Sequence, residues 1–119
     1  MPFQVTVDPS RRWVTIIGTG ITDAAGFRAA LLEVVANPMF QAGYRILVDS
    51  SELDYTPTVE ETHQFAQFHS ANNSLRSSKV AVVVAKTVDY GMANMFAILC
   101  GLKDSPVRSF QSSAEAAES

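Results

Sequence analysis

Tyr44-Arg45-Ile46-Leu47-Val48-Asp49-Ser50-Ser51-Glu52-Leu53-Asp54-Tyr55-Thr56-Pro57-Thr58-Val59-Glu60-Glu61 is the stretch that decides the fold, together with the residues that come after it as far as Phe68. Its first five residues are aliphatic and β-branched apart from Tyr44 and Arg45, which is strand composition. An acidic segment comes next. Thr58 then stands three residues before Glu61, the spacing at which a hydroxyl and a carboxylate cap a helix reciprocally. Strand, polar loop and helix N-terminus in that order is the arrangement at the carboxyl ends of strands in open α/β sheets, where such proteins place their working groups.

Working outward, Phe3 to Val7 alternates apolar and polar residues, Asp8-Pro9-Ser10-Arg11 has turn chemistry, and Trp13 to Gly18 forms the second arm of a hairpin. Gly18-Thr19-Gly20 is expected to break that strand as a turn. Thr22-Asp23 supplies a helix cap, and Phe27, Ala30, Leu31, Val34 and Val35 fall on one helical stripe that Asn37-Pro38 closes. Beyond the central stretch, Phe65, Phe68, Asn72 and Leu75 share a face, and a loop is expected from Asn72 to Ser78. Lys79 to Lys86 reads as a strand whose Val80–Ala85 centre does not alternate, which implies cover on both faces. Asp89 is placed to cap a third helix running to Lys103. A short strand, Val107 to Phe110, and a brief helix behind Ser112 and Glu115 end the chain.

Strands alternating with helices imply a parallel sheet with right-handed crossovers. The expected architecture is therefore one α/β domain over residues 1–119. It has a mixed, mostly parallel sheet of five strands, an antiparallel N-terminal hairpin and about four helices, with Ile46, Leu47, Val82 and Val84 central. A chain of 119 residues buries roughly two thirds of its unfolded surface and needs no metal or disulfide to fold.

The balance of charge excludes some functions. The formal net charge is −3, and the basic residues are scattered singly except Arg11-Arg12, so no stripe matches a row of phosphates and nucleic acid is not an expected partner. A single cysteine suits a reducing compartment. No signal-peptide pattern opens the chain, and its longest apolar run is far too short to span a membrane, so a cytoplasmic protein without a transmembrane segment is expected.

With that order in hand, the chain resembles the SpoIIAA-like proteins, relatives of the STAS domain of bacterial anti-sigma-factor antagonists, with a more distant similarity to CRAL-TRIO lipid-binding domains. The resemblance spans nearly the whole chain. It rests on "GTGIT" before the first helix, "ILVDSSEL" as an aliphatic strand ending in Asp, "KVAVVVAKTVDYGMANMF", and "VRSFQSSAEAA" as a final strand and helix. Antagonist STAS domains bind a kinase and are switched by phosphorylation of a Ser in an Asp-Ser-Ser-Gly-Leu motif at the N-terminus of the second helix. Here that region reads Tyr55-Thr56-Pro57-Thr58-Val59-Glu60, without the Gly-Leu, and Thr58 is the hydroxyl at the cap. What the resemblance implies is a regulatory, protein-binding module, with Asp49, Ser50, Ser51, Asp54, Thr56 and Thr58 as the partner or phospho-switch loop.

Other chemistry lacks the residue patterns it needs. Asp49, Glu52, Asp54, Glu60 and Glu61 put five carboxylates into thirteen residues. They lack the alternating ligands and glycine turn of a calcium loop, so helix-dipole and solvated acids account for them and no metal site is expected. Ser50, Ser51, Asp54, His63 and His69 lack a nucleophile elbow and an oxyanion loop, so no catalytic residues are assigned and no enzyme activity or cofactor is expected. His63 should face water and His69 should be partly buried. Cys100 reads as an inert buried thiol. The third helix is apolar almost all round, so one sheet face cannot cover it. A homodimer contact, an apolar small ligand or a neighbouring helix would cover the remainder. Phe65, Phe68, Met92, Met95, Phe96 and Leu99 form that candidate face, and a lipid-like ligand held between the second and third helices is the alternative function.

Overall fold

A computed structural model describes residues 3–76, 78–101 and 107–110 of the chain. The strands are β1 (Phe3–Asp8), β2 (Trp13–Ile21), β3 (Arg45–Asp54), β4 (Val80–Val83) and β5 (Val107–Phe110). The helices are α1 (Ala24–Ala36), α2 (Val59–Ala71), a single turn α3 (Asn73–Arg76) and α4 (Thr87–Gly101). The strands form one sheet in the order β1-β2-β3-β4-β5. β1 runs antiparallel to β2 at the edge, and the other pairs are parallel. Each crossover joins neighbouring parallel strands in the same sense, so right-handed connections bring α1, α2 and α4 to one side of the sheet.

The register defines that side. Val7 pairs with Val14, Val14 with Ile46 and Ile46 with Val80; one step along, Val5, Ile16, Val48 and Val82 align. Val14, Ile16, Ile46, Val48 and Val80 are buried in one cluster with Ala30 and Val34 of α1 and Leu75 of α3. Leu47 and Ala81 point to the reverse face and are half-buried, whereas Val83 on that face is buried. Val84 lies just past β4 and is buried. The Cys100 side chain is buried.

Several expectations need correction. The acidic segment 49–54 is strand rather than loop, because its backbone pairs with an extension of β2: Thr19 with Glu52, Gly20 with Leu53 and Ile21 with Asp54. For the same reason Gly18-Thr19-Gly20 is not a turn. Gly18 is the residue that fits there, since a Cβ would lie 2.9 Å from the Phe3 ring and 3.1 Å from Leu53. Gly20 takes φ +75°, a conformation that L side chains resist.

The segment 72–78 contains the turn α3, which seats Leu75 in the core. Helix α4 begins at Thr87, where the Tyr90 N–H donates to the Lys86 carbonyl, so Asp89 lies within its first turn instead of capping it. β4 is shorter than the expected 79–86. The expected helix behind Ser112 lies outside the described residues, as does the expected end of α4 at Lys103.

N-terminal caps begin α1 and α2 as their sequence suggests. The Asp23 carboxylate accepts from Gly26 N at 2.9 Å. Glu61 N donates to Thr58 Oγ1 at 3.1 Å while Thr58 N donates to Glu61 Oε1 at 2.9 Å, a complete capping box. Thr58→Ala removes one half of it and is expected to cost about 1 kcal/mol, with Thr58→Asp recovering most of the loss. Urea unfolding midpoints check this, and an unchanged midpoint for Thr58→Ala would show that the box contributes nothing to stability.

Candidate functional site: a cavity between the sheet and two helices

Two helical stripes face each other above the sheet. On α2, Thr62, Phe65 and His69 recur at spacings of three and four, and on α4, Asp89, Met92, Ala93 and Phe96 do the same, so each set lies on one helix face. Beneath them, Ile46 and Val48 of β3 and Val80, Val82 and Val84 alternate toward the helices. Phe27 and Leu31 of α1 close the side, and Leu75 closes one end. These residues line a partly open cavity of about 100 Å³. Seven residues of helix rise about 10 Å, which sets the span from the Thr62 and Asp89 end to the His69 and Phe96 end.

One irregularity shapes the first of those ends. Between the pairs Ile17–Asp49 and Thr19–Glu52, β2 contributes one residue and β3 contributes two, so β3 carries a bulge at Ser50-Ser51. Asp49 holds it: its Oδ1 accepts from Ser51 N at 3.1 Å and from Ser51 Oγ at 2.6 Å. Without the extra residue, alternation would turn Glu52 toward the helices. With it, Leu53 turns inward, is buried and joins Ser50 in the cavity wall.

The chain then crosses the carboxyl edge of the sheet. Tyr55 and Pro57 reach the cavity wall, and the Tyr55 hydroxyl donates to Glu61 Oε1 at 3.0 Å. Burial and that carboxylate raise the Tyr55 pKa, so the phenol stays protonated. Thr56 Oγ1 donates to Asp89 Oδ1, which ties this crossing to the first turn of α4. Thr62 Oγ1 donates to the Thr58 carbonyl at 2.8 Å.

The other end differs. His69 is 4% exposed, meets Phe96 edge to face at 5.9 Å, and its Nε2 has no hydrogen-bond partner among the described residues. A buried polar atom left unpaired costs free energy, which makes this nitrogen the anomaly of the site.

The candidate residues from the sequence therefore scatter. Of the proposed partner loop, Ser50 lines the cavity, Ser51 serves the bulge, Thr56 braces Asp89 and Thr58 caps α2. Asp49 holds the bulge, and Asp54 is exposed, 3.5 Å from Lys86 Nζ, a pairing of little energetic weight. Of the apolar face, Phe65, Met92 and Phe96 line the cavity, whereas Phe68 packs on the core with Arg28 5.6 Å from its ring. Met95 and Leu99 are half-buried outside the cavity wall. His63 is exposed, and no hydrogen bond among the described residues joins Ser50, Ser51 or Asp54 to either histidine. Among the same residues no three His, Cys, Asp or Glu side chains gather to hold a metal ion. Asp89, Tyr55, Thr62 and His69 are the cavity's polar members that sequence patterning did not group. The i, i+3, i+7 spacing of Thr62, Phe65 and His69 is the signal that could have found the two on α2.

Burial pushes the His69 imidazole down from its ordinary 6.5 to about 4. Between those values the unfolded chain takes up a proton that the folded chain refuses, so stability falls as pH drops from about 6.5 to 4. The loss is at most about 3 kcal/mol. His69→Leu is expected to flatten the stability profile in that window. Chemical unfolding at pH 7 and pH 4.5 tests it, and equal slopes for the two proteins would contradict it.

No protein-family model matches the chain, and no curated protein matches it. Among solved structures it is similar to an uncharacterised protein of the DUF3478 family with a SpoIIAA-like fold, from Shewanella loihica PV-4. The two share a TM-score of 0.61 at 11% sequence identity, over 98% of this chain and 91% of that one. Likeness at that identity lies in the backbone architecture, and the chain has a SpoIIAA-like α/β fold.

Proposed function

We propose that this chain is a non-catalytic binding protein for a small, mainly apolar molecule held between the sheet, α2 and α4. The cavity of about 100 Å³ carries the reading. An occupant that displaces water from the cavity walls would gain the free energy of burying apolar surface. These walls are aliphatic and aromatic except for Ser50, Tyr55, Thr62, His69 and Asp89. The hydroxyls of Tyr55 and Thr62 are already donated to Glu61 and to Thr58. Among the described residues no Lys or Arg lines the cavity, so none of them there favours an anion.

The methionines provide the test. Met92 lines the cavity, and Met39, 52% exposed in the segment between α1 and β3, does not. With methyl-labelled methionine, added benzene should shift the Met92 signal and leave Met39 unmoved. Ala93→Leu, which places a larger side chain in the wall, should abolish that shift while the protein stays folded. A Met92 signal indifferent to benzene would remove the reading.

A second reading, the regulatory module that binds a protein partner, is favoured by a different observation. Ile21, Val59 and Val88 are 82%, 57% and 57% exposed. They stand at the same edge, since Ile21 pairs with Asp54, Val59 starts α2 and Val88 adjoins Asp89. Apolar side chains gathered in this way suit a protein contact. If the partner is a second copy of the chain, light scattering should give a dimer that Ile21→Asp with Val88→Asp turns into monomer. A monomer for the unmodified protein at every concentration removes that version.

A further inference from the structure

We propose that the apolar patch of Ile21, Val59 and Val88 at the carboxyl edge of the sheet docks on the basic amino edge of a second copy of this chain, head to tail. The inference rests on the reading of that patch as a contact between copies, and it names the surface that the patch meets.

The patch has an acidic rim. Asp23, Glu52, Asp54 and Glu60 are all exposed. Asp54 pairs with Ile21 at the end of β3, Asp23 caps α1 two residues after Ile21, and Glu60 follows Val59 in the first turn of α2. Lys86, beside them, lies 3.5 Å from Asp54.

The opposite edge carries the reverse charge. Arg12, Arg45 and Lys79 stand at the starts of three neighbouring strands, since Arg45 N donates to the Arg12 carbonyl at 3.0 Å and Ile46 N to the Lys79 carbonyl at 2.8 Å. Together with Arg11 they are exposed, and among the described residues none of the four lies within ion-pair distance of a carboxylate. Asp8 is near Arg11, and Ser10 donates to its carboxylate. Arg45 and Asp54 are the two ends of β3, whose ten residues put them about 30 Å apart. Charge reaches about 8 Å at physiological salt, so the two edges cannot satisfy each other within one chain.

Symmetry selects between the surfaces a second copy could offer. In a two-fold contact the patch would meet itself, and the acids of one rim would face the acids of the other, an arrangement that like charges penalise. Turned onto the amino edge, the same rim meets Arg11, Arg12, Arg45 and Lys79. Apolar surface is present there too, because Met39 is 52% exposed in the segment that leads from α1 to Arg45. A contact between unlike surfaces leaves each copy one edge free, so growth continues past the dimer into chains or rings.

Sedimentation velocity of the full chain is the test. In the unmodified protein the average mass should rise past that of a dimer as concentration increases. It should fall when salt goes from about 0.01 M to about 1 M, which shortens the reach of charge from about 30 Å to about 3 Å. Arg45→Glu with Lys79→Glu should give a monomer, and so should Glu52→Lys with Glu60→Lys. An equimolar mixture of the two double variants should assemble again, because each offers the charge that the other's altered edge requires. That recovery also shows that both variants are folded. Assembly that stops at a dimer and survives the reversal of Arg45 and Lys79 would overturn the head-to-tail contact and leave the patch as a two-fold interface. Two variants with native circular dichroism that stay monomeric when mixed would overturn it as well. A monomer for the unmodified protein at every concentration would overturn the self-contact reading together with the inference, and would leave the patch to a partner of different sequence.

Discussion

The extra residue in β3 at Ser50-Ser51, held by Asp49, sets the facing of every later residue of that strand. Alternation along a strand is strict, so a one-residue insertion moves each subsequent side chain to the other face. Here it carries Leu53 inward, where it is 5% exposed, and leaves Glu52 and Asp54 in solvent. Burying a leucine stabilises by roughly 1.5–3 kcal/mol, whereas an unpaired carboxylate in its place would cost several. Gly18 is the matching half of the arrangement on β2, because the Phe3 ring and Leu53 occupy the space a side chain would need. The re-phased end of β3 also delivers Tyr55 and Pro57 to the cavity and Thr58 to the start of α2.

From that point polar contacts assemble the carboxyl edge. Thr58 and Glu61 close the capping box, Tyr55 reaches the same Glu61, and Thr56 reaches Asp89 on α4. One carboxylate thus serves both the helix cap and the tyrosine. The edge is braced by side chains close in sequence plus one long-range bond, and that bond sets the first turn of α4 beside α2. The inner end of the cavity is built oppositely, from aromatic and aliphatic contacts with one nitrogen left unmatched. A gradient from polar edge to apolar end is the arrangement that lets a pocket orient a molecule as well as hold it.

Much of the architecture was legible in the sequence. The hairpin turn at Asp8-Pro9-Ser10, the cap at Asp23, the stop at Asn37-Pro38 and the box at Thr58 and Glu61 each depend on residues within four positions of one another. Their physics is local, and the structure contains them where the residues imply. The hydrophobic stripe of α1 and the aliphatic runs of β3 and β4 were legible for the same reason, since burial tracks periodicity. His69 was legible as a partly buried residue flanking a stripe, though not as the buried member of a cavity wall that it is.

What the sequence by itself determined, then, is the described elements other than α3, with their order, and through connection handedness the side on which the helices lie. The tertiary structure alone decided where the strands end and what the helices enclose. Residues 49–54 look like a loop because they are acidic, yet they are strand because β2 continues beside them, and partner backbone is invisible in one chain's composition. Asp89 looks like a cap, yet Thr56, thirty-three positions away, is what it meets. The cavity is the gap left between two helical stripes and a sheet. Its volume depends on the separation of elements far apart in the chain, a quantity that no local pattern encodes.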